Sequence, residues 1–501
     1  MKKKTHSTPA QEQVIEPNPR DVQAFYQIIW FSRSVNIVRG NRIKPIHSAE
    51  SDGVDLAKCR RDFADAIAYF SISDGDPDHV TAVALGEKES KVILWIASNT
   101  NVRSKVVDFL ETDVLCVVQE LACAQIQGQL PPSENKRGLG LLERVLEFNS
   151  DKNLKYYKVA VWRWEDINKS TDTEGKSNPA LDYFNEWFKA TFYKDGTQLA
   201  KADMPKLAWR CYALREGQAF DILRHFSSQG NEHSPNFEQL HKLLYKLGKH
   251  IGLFHKMLRA VSSLREVFRR GFVVEPIPAE PKRKPLPSLM DQTVEVENIV
   301  TRVFPDKDER NQFYHHIDQF YNLNMEKIKE LLGSWANNSV RVHAEILLVD
   351  YLYKTSGKFL DNNDKYIGCS KPACYLCYQY ICQHPGKYTR PPSHQKLYHH
   401  WALPAVQTDD PNLSVKDELH KRFMSEITET LRSELRNEVR RHLAPTKYHA
   451  DSTAGASSVA DISRVSSKAF DSLFALIRKT SEEKSALCDD DLDDGGVMVQ
   501  G

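Results

Sequence analysis

The stretch from Val340 to Cys377 constrains this 501-residue chain more than any other. It opens with His343-Ala344-Glu345 ahead of an apolar run (Ile346, Leu347, Leu348, Val349, Tyr351, Leu352) and closes with Pro372-Ala373-Cys374-Tyr375-Leu376-Cys377. Between them lie Gly357, the polar run 361–364 and Lys365-Tyr366-Ile367-Gly368, which predicts helix, turn, short strand and a second helix starting near the cysteines. One imidazole and two thiolates form a three-donor set suited to zinc, with the fourth tetrahedral position left for water. A helix start at Cys374 puts both sulfurs, three residues apart, on one face, where free N–H groups and the positive dipole end favour thiolate. Pro372 pre-sets the chain just upstream. His343 and Glu345 are two apart and point in different directions, so one can hold metal while the other faces whatever is bound beside it.

A second reading competes on spacing alone. Cys369, Cys374, Cys377 and Cys382 fall at C-x4-C-x2-C-x4-C, the pattern of a closed structural zinc site. Such a site has no use for a Glu two residues after a histidine, so the open set of His343, Cys374 and Cys377 is preferred. Cys369 and Cys382 are expected to be small buried hydrophobes.

His-x-Glu followed by Pro-Cys-x-x-Cys is the pattern of zinc deaminases, with the Glu as proton shuttle; here Pro-Ala-Cys stands in place of Pro-Cys. Together with residues 366–377, Ser393-His394-Gln395-Lys396-Leu397-Tyr398 and Trp401-Ala402-Leu403-Pro404, the segment resembles the cytidine deaminase-like superfamily. It looks most like the fungal-type nucleic acid/nucleotide deaminase-like family. The resemblance implies an α/β fold, a three-layer α-β-α core with a mixed sheet, in which Zn2+ is held by His343, Cys374 and Cys377 and Glu345 is catalytic. The implied reaction is hydrolytic deamination of a nucleobase-like amino group, cytosine or adenine, free or in single-stranded nucleic acid. His394, Tyr398 and Trp401 lie where the family places the site, and Asn99 matches the first residue of an Asn-x-Glu ribose grip whose Glu is here Asn101; these four are candidate substrate contacts. The alternative is a non-catalytic interaction protein with a deaminase-like fold or a structural zinc.

Such cores begin with a helix and a β-hairpin, and nothing just upstream of His343 supplies one. Leu56, Cys59, Phe63, Ile67 and Phe70 recur at helical spacing, and residues 80–85 and 92–96 read as two strands. The catalytic domain is therefore expected to be split. A disordered 1–17 leads to N-terminal helices plus the first helix and hairpin at 18–101. A mostly helical insertion at 102–335 follows, with a Pro-rich connector at 271–288; placed between elements that flank the site, it is expected to lid or shape the pocket. The zinc-binding half with its C-terminal helix occupies 338–445, and 446–501 is a flexible tail with a possible short helix. Residues 156–164 fit strand or helix equally, 396–401 reads as a strand, and the apolar stripe from Val415 to Leu443 is expected to cap the sheet or dimerise. His241, His250 and His255 have no acidic or cysteine partner at metal spacing and are expected to be surface or core residues.

Composition narrows the class further. The 68 basic and 67 acidic residues balance, so charge gives no footprint for nucleic acid and slightly favours a small substrate. Nine cysteines, an odd number with four of them at 369–382 around one motif, suit a reducing compartment. No apolar run approaches the length of a membrane helix, and an intracellular location, cytoplasmic or nuclear, is expected without membrane association. Oligomeric state is left open.

Overall fold

The computed structural model describes residues 14–35, 42–44, 55–129, 136–172, 178–285, 296–321 and 324–441, apart from 75, 77, 78, 214, 216, 231 and 232. Residues 1–13 of the polar N-terminus, 286–295 with the end of the connector, and the 446–501 tail in which a short helix is expected lie outside the described residues.

A four-stranded sheet drawn from three distant parts of the sequence positions the site. Helices α1 (Pro19–Ser34) and α2 (Leu56–Phe70) start where Asn18 and Asp55 accept the Arg20 and Lys58 N–H groups, both at 2.9 Å. Strands β1 (Thr81–Lys88) and β2 (Lys91–Ser98) form the antiparallel hairpin. Its turn residues Glu89 and Ser90 both take positive φ, 49° and 67°, the primed geometry that matches the twist of the strands. Helices α3 (Ser150–Asp172) and α4 (Lys249–Ser263) belong to the long helical segment, after which β3 (Phe272–Pro276) pairs parallel with β2. Helix α5 (Ala344–Lys354) follows, and then β4 (Gly368–Cys369) pairs antiparallel with β1, giving the order β3-β2-β1-β4. Helices α6 (Tyr375–Gln383) and α7 (Leu413–Arg441) complete the described chain.

Alternation along the strands divides the core in two. Ala82, Ala84, Ile93, Trp95 and Ala97 join one apolar cluster with residues of α1, α5, α6 and α7. Val83, Leu85, Val92, Leu94 and Ile96 join another with residues of α2 and α4. Between β2 and β3 the chain is almost wholly helical, and Tyr157, Trp164, Phe184, Phe188 and Leu244 build a third cluster there. The protein is thus mostly α-helical with a mixed sheet. Among the described residues no helix is long and apolar enough to cross a membrane.

Three sequence ambiguities resolve in packing. Residues 156–164 are helical, inside α3, where Tyr157, Ala160, Val161 and Trp164 are buried at helical spacing. The stripe of α7, through Leu419, Phe423, Ile427, Leu431 and Leu435, is buried within the same chain, where α1 packs on α7. The strand expected at 396–401 is a correction: that segment makes only single-residue bridges, such as Arg341 with Trp401. Its backbone is committed elsewhere, since the Lys396 N–H donates to His394 Nδ1 and the Lys396 carbonyl accepts from Tyr375, just after Gln395 at φ 58°.

The two-residue β4 is held by α2. Buried Asp65 accepts the Cys369 N–H at 3.0 Å and the Tyr366 hydroxyl at 3.1 Å, and burial pushes its carboxyl up to about 7. A Cβ on Gly368 would stand 2.6 Å from the Ala64 backbone. Gly368→Ala is therefore expected to cost about 1–3 kcal/mol in urea unfolding, because helix backbone cannot yield as a side chain can. Between pH about 4 and about 7 the native Asp65 keeps a proton that the unfolded chain releases near 3.9, so its contribution to stability falls as pH rises. Asp65→Asn should flatten the stability–pH slope across that window in urea titrations; an unaltered slope would show the carboxyl to be ionised throughout.

Candidate active site and metal centre

Two helix starts meet at one point. His343 is the N-cap of α5 in extended backbone (φ −81°, ψ 153°), and Cys374 is the N-cap of α6 (φ −73°, ψ 170°). The His343 side chain does not cap its own helix. Asn99, just past the end of β2, does so instead, its Oδ1 accepting the Ala344 N–H at 2.8 Å. The ring is thereby left to face the cysteines. At α6 the Cys374 sulfur accepts the Cys377 N–H at 3.4 Å, so the i, i+3 pair is locked by the first turn.

The donor atoms stand at metal-binding separations. His343 Nδ1 is 3.6 Å from Cys374 Sγ and 3.4 Å from Cys377 Sγ. A tetrahedral zinc with Zn–S of about 2.3 Å and Zn–N of about 2.0–2.1 Å requires a sulfur–nitrogen separation of about 3.5 Å. Among the described residues these three are the one set of His, Cys or carboxylate side chains whose ligand atoms gather this way, all within 4.8 Å of one another. Cys369 and Cys382 are not part of it. The Cys369 thiol points to the Ile367 carbonyl and burial pushes its pKa up, while half-buried Cys382 pairs with Tyr378. The four-cysteine reading is thereby set aside, and the fourth position of the His-Cys-Cys set is not taken by another cysteine.

Electrostatics favour the ligating form of one sulfur. Burial works to raise the Cys374 thiol, but hydrogen bonds from Cys377 and the charge of His343 outweigh it and hold Cys374 well below the usual range. The Cys377 sulfur accepts the Trp401 indole N–H at 3.1 Å. Glu345 is 4 % exposed, and burial pushes its carboxyl up. Its Oε2 has no hydrogen-bond partner, an unsatisfied buried acceptor beside the donor set.

The four candidate substrate contacts are distributed unevenly. Tyr398 lies against the site, its ring 5.8 Å from the His343 ring and 5.8 Å from that of His394. His394 is buried behind it, and burial holds its imidazole down at about 3, so it is neutral. Trp401 is fully buried and gives its one N–H to Cys377, so it supports a ligand from beneath and has no polar atom left for a substrate. Asn99 is at the site, but its oxygen is spent on the α5 start. Neither the Trp401–Cys377 nor the Asn99–Ala344 hydrogen bond is signalled by local sequence, because each joins residues far apart in the chain.

Residues 342–405 match the family model described as OTT_1508-like deaminase. No curated protein and no solved structure matches the chain. The matched segment holds His343, Glu345, Cys374, Cys377 and Trp401 together, and over these residues the chain is assigned to the deaminase-like superfamily.

Proposed function

We propose that this protein is a zinc-dependent hydrolytic deaminase acting on a nucleobase-like ring. The observation that carries this reading is a three-donor set beside a buried carboxylate with an unpartnered oxygen. His343, Cys374 and Cys377 would hold the ion, and the sulfur–nitrogen distances fit it. When bound, zinc supplies Lewis-acid activation, bringing water ionisation from 15.7 toward about 7. Glu345 takes a proton from the attacking water as its oxygen bonds to the amino-bearing carbon, and passes it to the adjacent ring nitrogen. The same carboxylate then takes the remaining proton from the new hydroxyl and delivers it to the amino group, the carbon–nitrogen bond breaks, ammonia leaves and a carbonyl remains. Tyr398 offers a ring face beside His343 against which a flat heterocycle can stack.

The same reading makes the catalytic domain a split, three-layer one, with its opening elements in 18–101 and its zinc-binding half in 338–445. The pairing of β1 with β4 and the helices packed on both sheet faces support it. The insertion at 102–335 shapes access to the site. The substrate is a free nucleobase compound or a single-stranded nucleic acid, and the test spans both.

Ammonia release should be screened over bases, nucleosides and single-stranded oligonucleotides alongside metal analysis. Glu345→Ala should keep about one zinc per chain and lose about 10²–10⁴-fold in rate, whereas Cys374→Ser should lose zinc and rate together. Wild-type protein that binds zinc yet releases no ammonia from any substrate class would favour the interaction-protein reading. Trp401→Phe keeps the ring and removes the N–H on Cys377; zinc affinity, measured by chelator competition, is expected to fall about 10–100-fold.

A further inference from the structure

Away from the metal centre, the junction between α2 and the helical segment buries a group of bases. Lys152 on α3 is 2 % exposed, Lys249 at the start of α4 5 %, and His250 0 %. The Lys152 ammonium lies 3.4 Å and that of Lys249 4.3 Å from the centroid of the Tyr69 ring, and the His250 ring is 4.8 Å from it. Both cations thus converge on one aromatic ring at the C-terminal end of α2. Among the described residues neither lysine forms an ion pair, and their one hydrogen bond runs from Lys152 Nζ to the Tyr69 carbonyl at 3.4 Å. A single ring offsets part of the desolvation of one ammonium, and here two share it.

The polar atoms around them are also unmatched. Both ring nitrogens of His250 are buried without partners. Neighbouring charge adds to the imbalance: Arg215, Lys246 and Lys256 act on Lys249, and Lys371 acts on Lys152, against the acidic groups Asp65, itself held up to about 7 by burial, and Asp74. Burial and these like charges push Lys249 down to about 7 and Lys152 down as well.

Two ammonium groups bring donors and no acceptors. A carboxylate would cancel one charge. A phosphate group carries nearly two negative charges and three strong acceptor oxygens, which matches two lysines and an imidazole. We propose that Lys152, Lys249 and His250 form a buried site for a phosphate-bearing anion, which pins the helical insertion to α2. Because the cluster is sealed from solvent, the anion enters as the chain folds and leaves only when it opens. The site is separate from the metal centre, so its failure and that of the deaminase reading are told apart by zinc content and ammonia release.

Full-length protein purified in phosphate-free buffer should be denatured and the supernatant examined by ³¹P NMR and mass spectrometry. About one equivalent of a phosphorus-bearing anion is expected, and its shift and mass distinguish inorganic phosphate from a phosphorylated organic molecule. Where none is carried, refolding in inorganic phosphate at a hundredfold excess over its Kd should raise Tm by about 3 °C. The Lys152→Met/Lys249→Met variant should lose the anion or the phosphate response and melt lower than the parent. Absence of both phosphorus and a phosphate-induced rise overturns the proposal. So does a double variant that melts at or above the parent, the result expected when unpaired buried cations are replaced by apolar groups of similar shape.

Discussion

Everything at the candidate site depends on two helices aiming their N-termini at the same point. Each start presents N–H groups that have no partner within the helix and a partial positive charge, and a ligand residue occupies each N-cap position. At α6 the sulfur of Cys374 does the capping itself, so helix formation and thiolate stabilisation are one event. At α5 the cap is borrowed from Asn99, which frees the imidazole for the cysteines. Exchanging these arrangements would turn His343 away from the sulfurs.

Such a convergence needs a rigid frame, and the frame is assembled from remote pieces. The hairpin β1–β2 comes from before the long helical segment, β3 from its end, and β4 from between the two ligand helices. β4 has only two residues, so side chains reinforce it. Asp65 holds the Cys369 N–H, the Ser370 hydroxyl accepts the Thr81 N–H at 3.1 Å, and the Ser370 N–H donates to the Thr81 carbonyl at 3.0 Å. In a low-dielectric interior a satisfied network of this kind rigidifies, whereas a missing partner is costly. The ligand helices are thus tied through β4 to the same hairpin whose end supplies Asn99.

The helical segment is divided by its packing. Residues between 104 and 148 and between 249 and 268 add to the cluster under the sheet, whereas α3 and the helices that follow it close a cluster of their own. The buried bases sit where these two parts meet α2, a boundary at which polar groups are enclosed by elements that each arrive from elsewhere in the chain.

The chain by itself determined what is local. His343-Ala344-Glu345 and Cys374-x-x-Cys377 were legible because helix starts and i, i+3 spacing are short-range properties. The hairpin was legible because two short continuous apolar runs, 80–85 and 92–96, are joined by a polar stretch, although its Glu89-Ser90 turn carries none of the usual glycine signal. Residues 156–164 were ambiguous because an aromatic run fits two periods, and burial at helical spacing decided between them. Only tertiary structure could decide that Trp401 lies under Cys377, that Asn99 caps α5, that Asp65 holds β4, and that Lys152 and Lys249 share one ring. Each of those is a meeting of residues separated by between 24 and 304 positions. Hydrogen bonds and charge act over a few ångströms of space regardless of chain distance, so no pattern along the sequence records them.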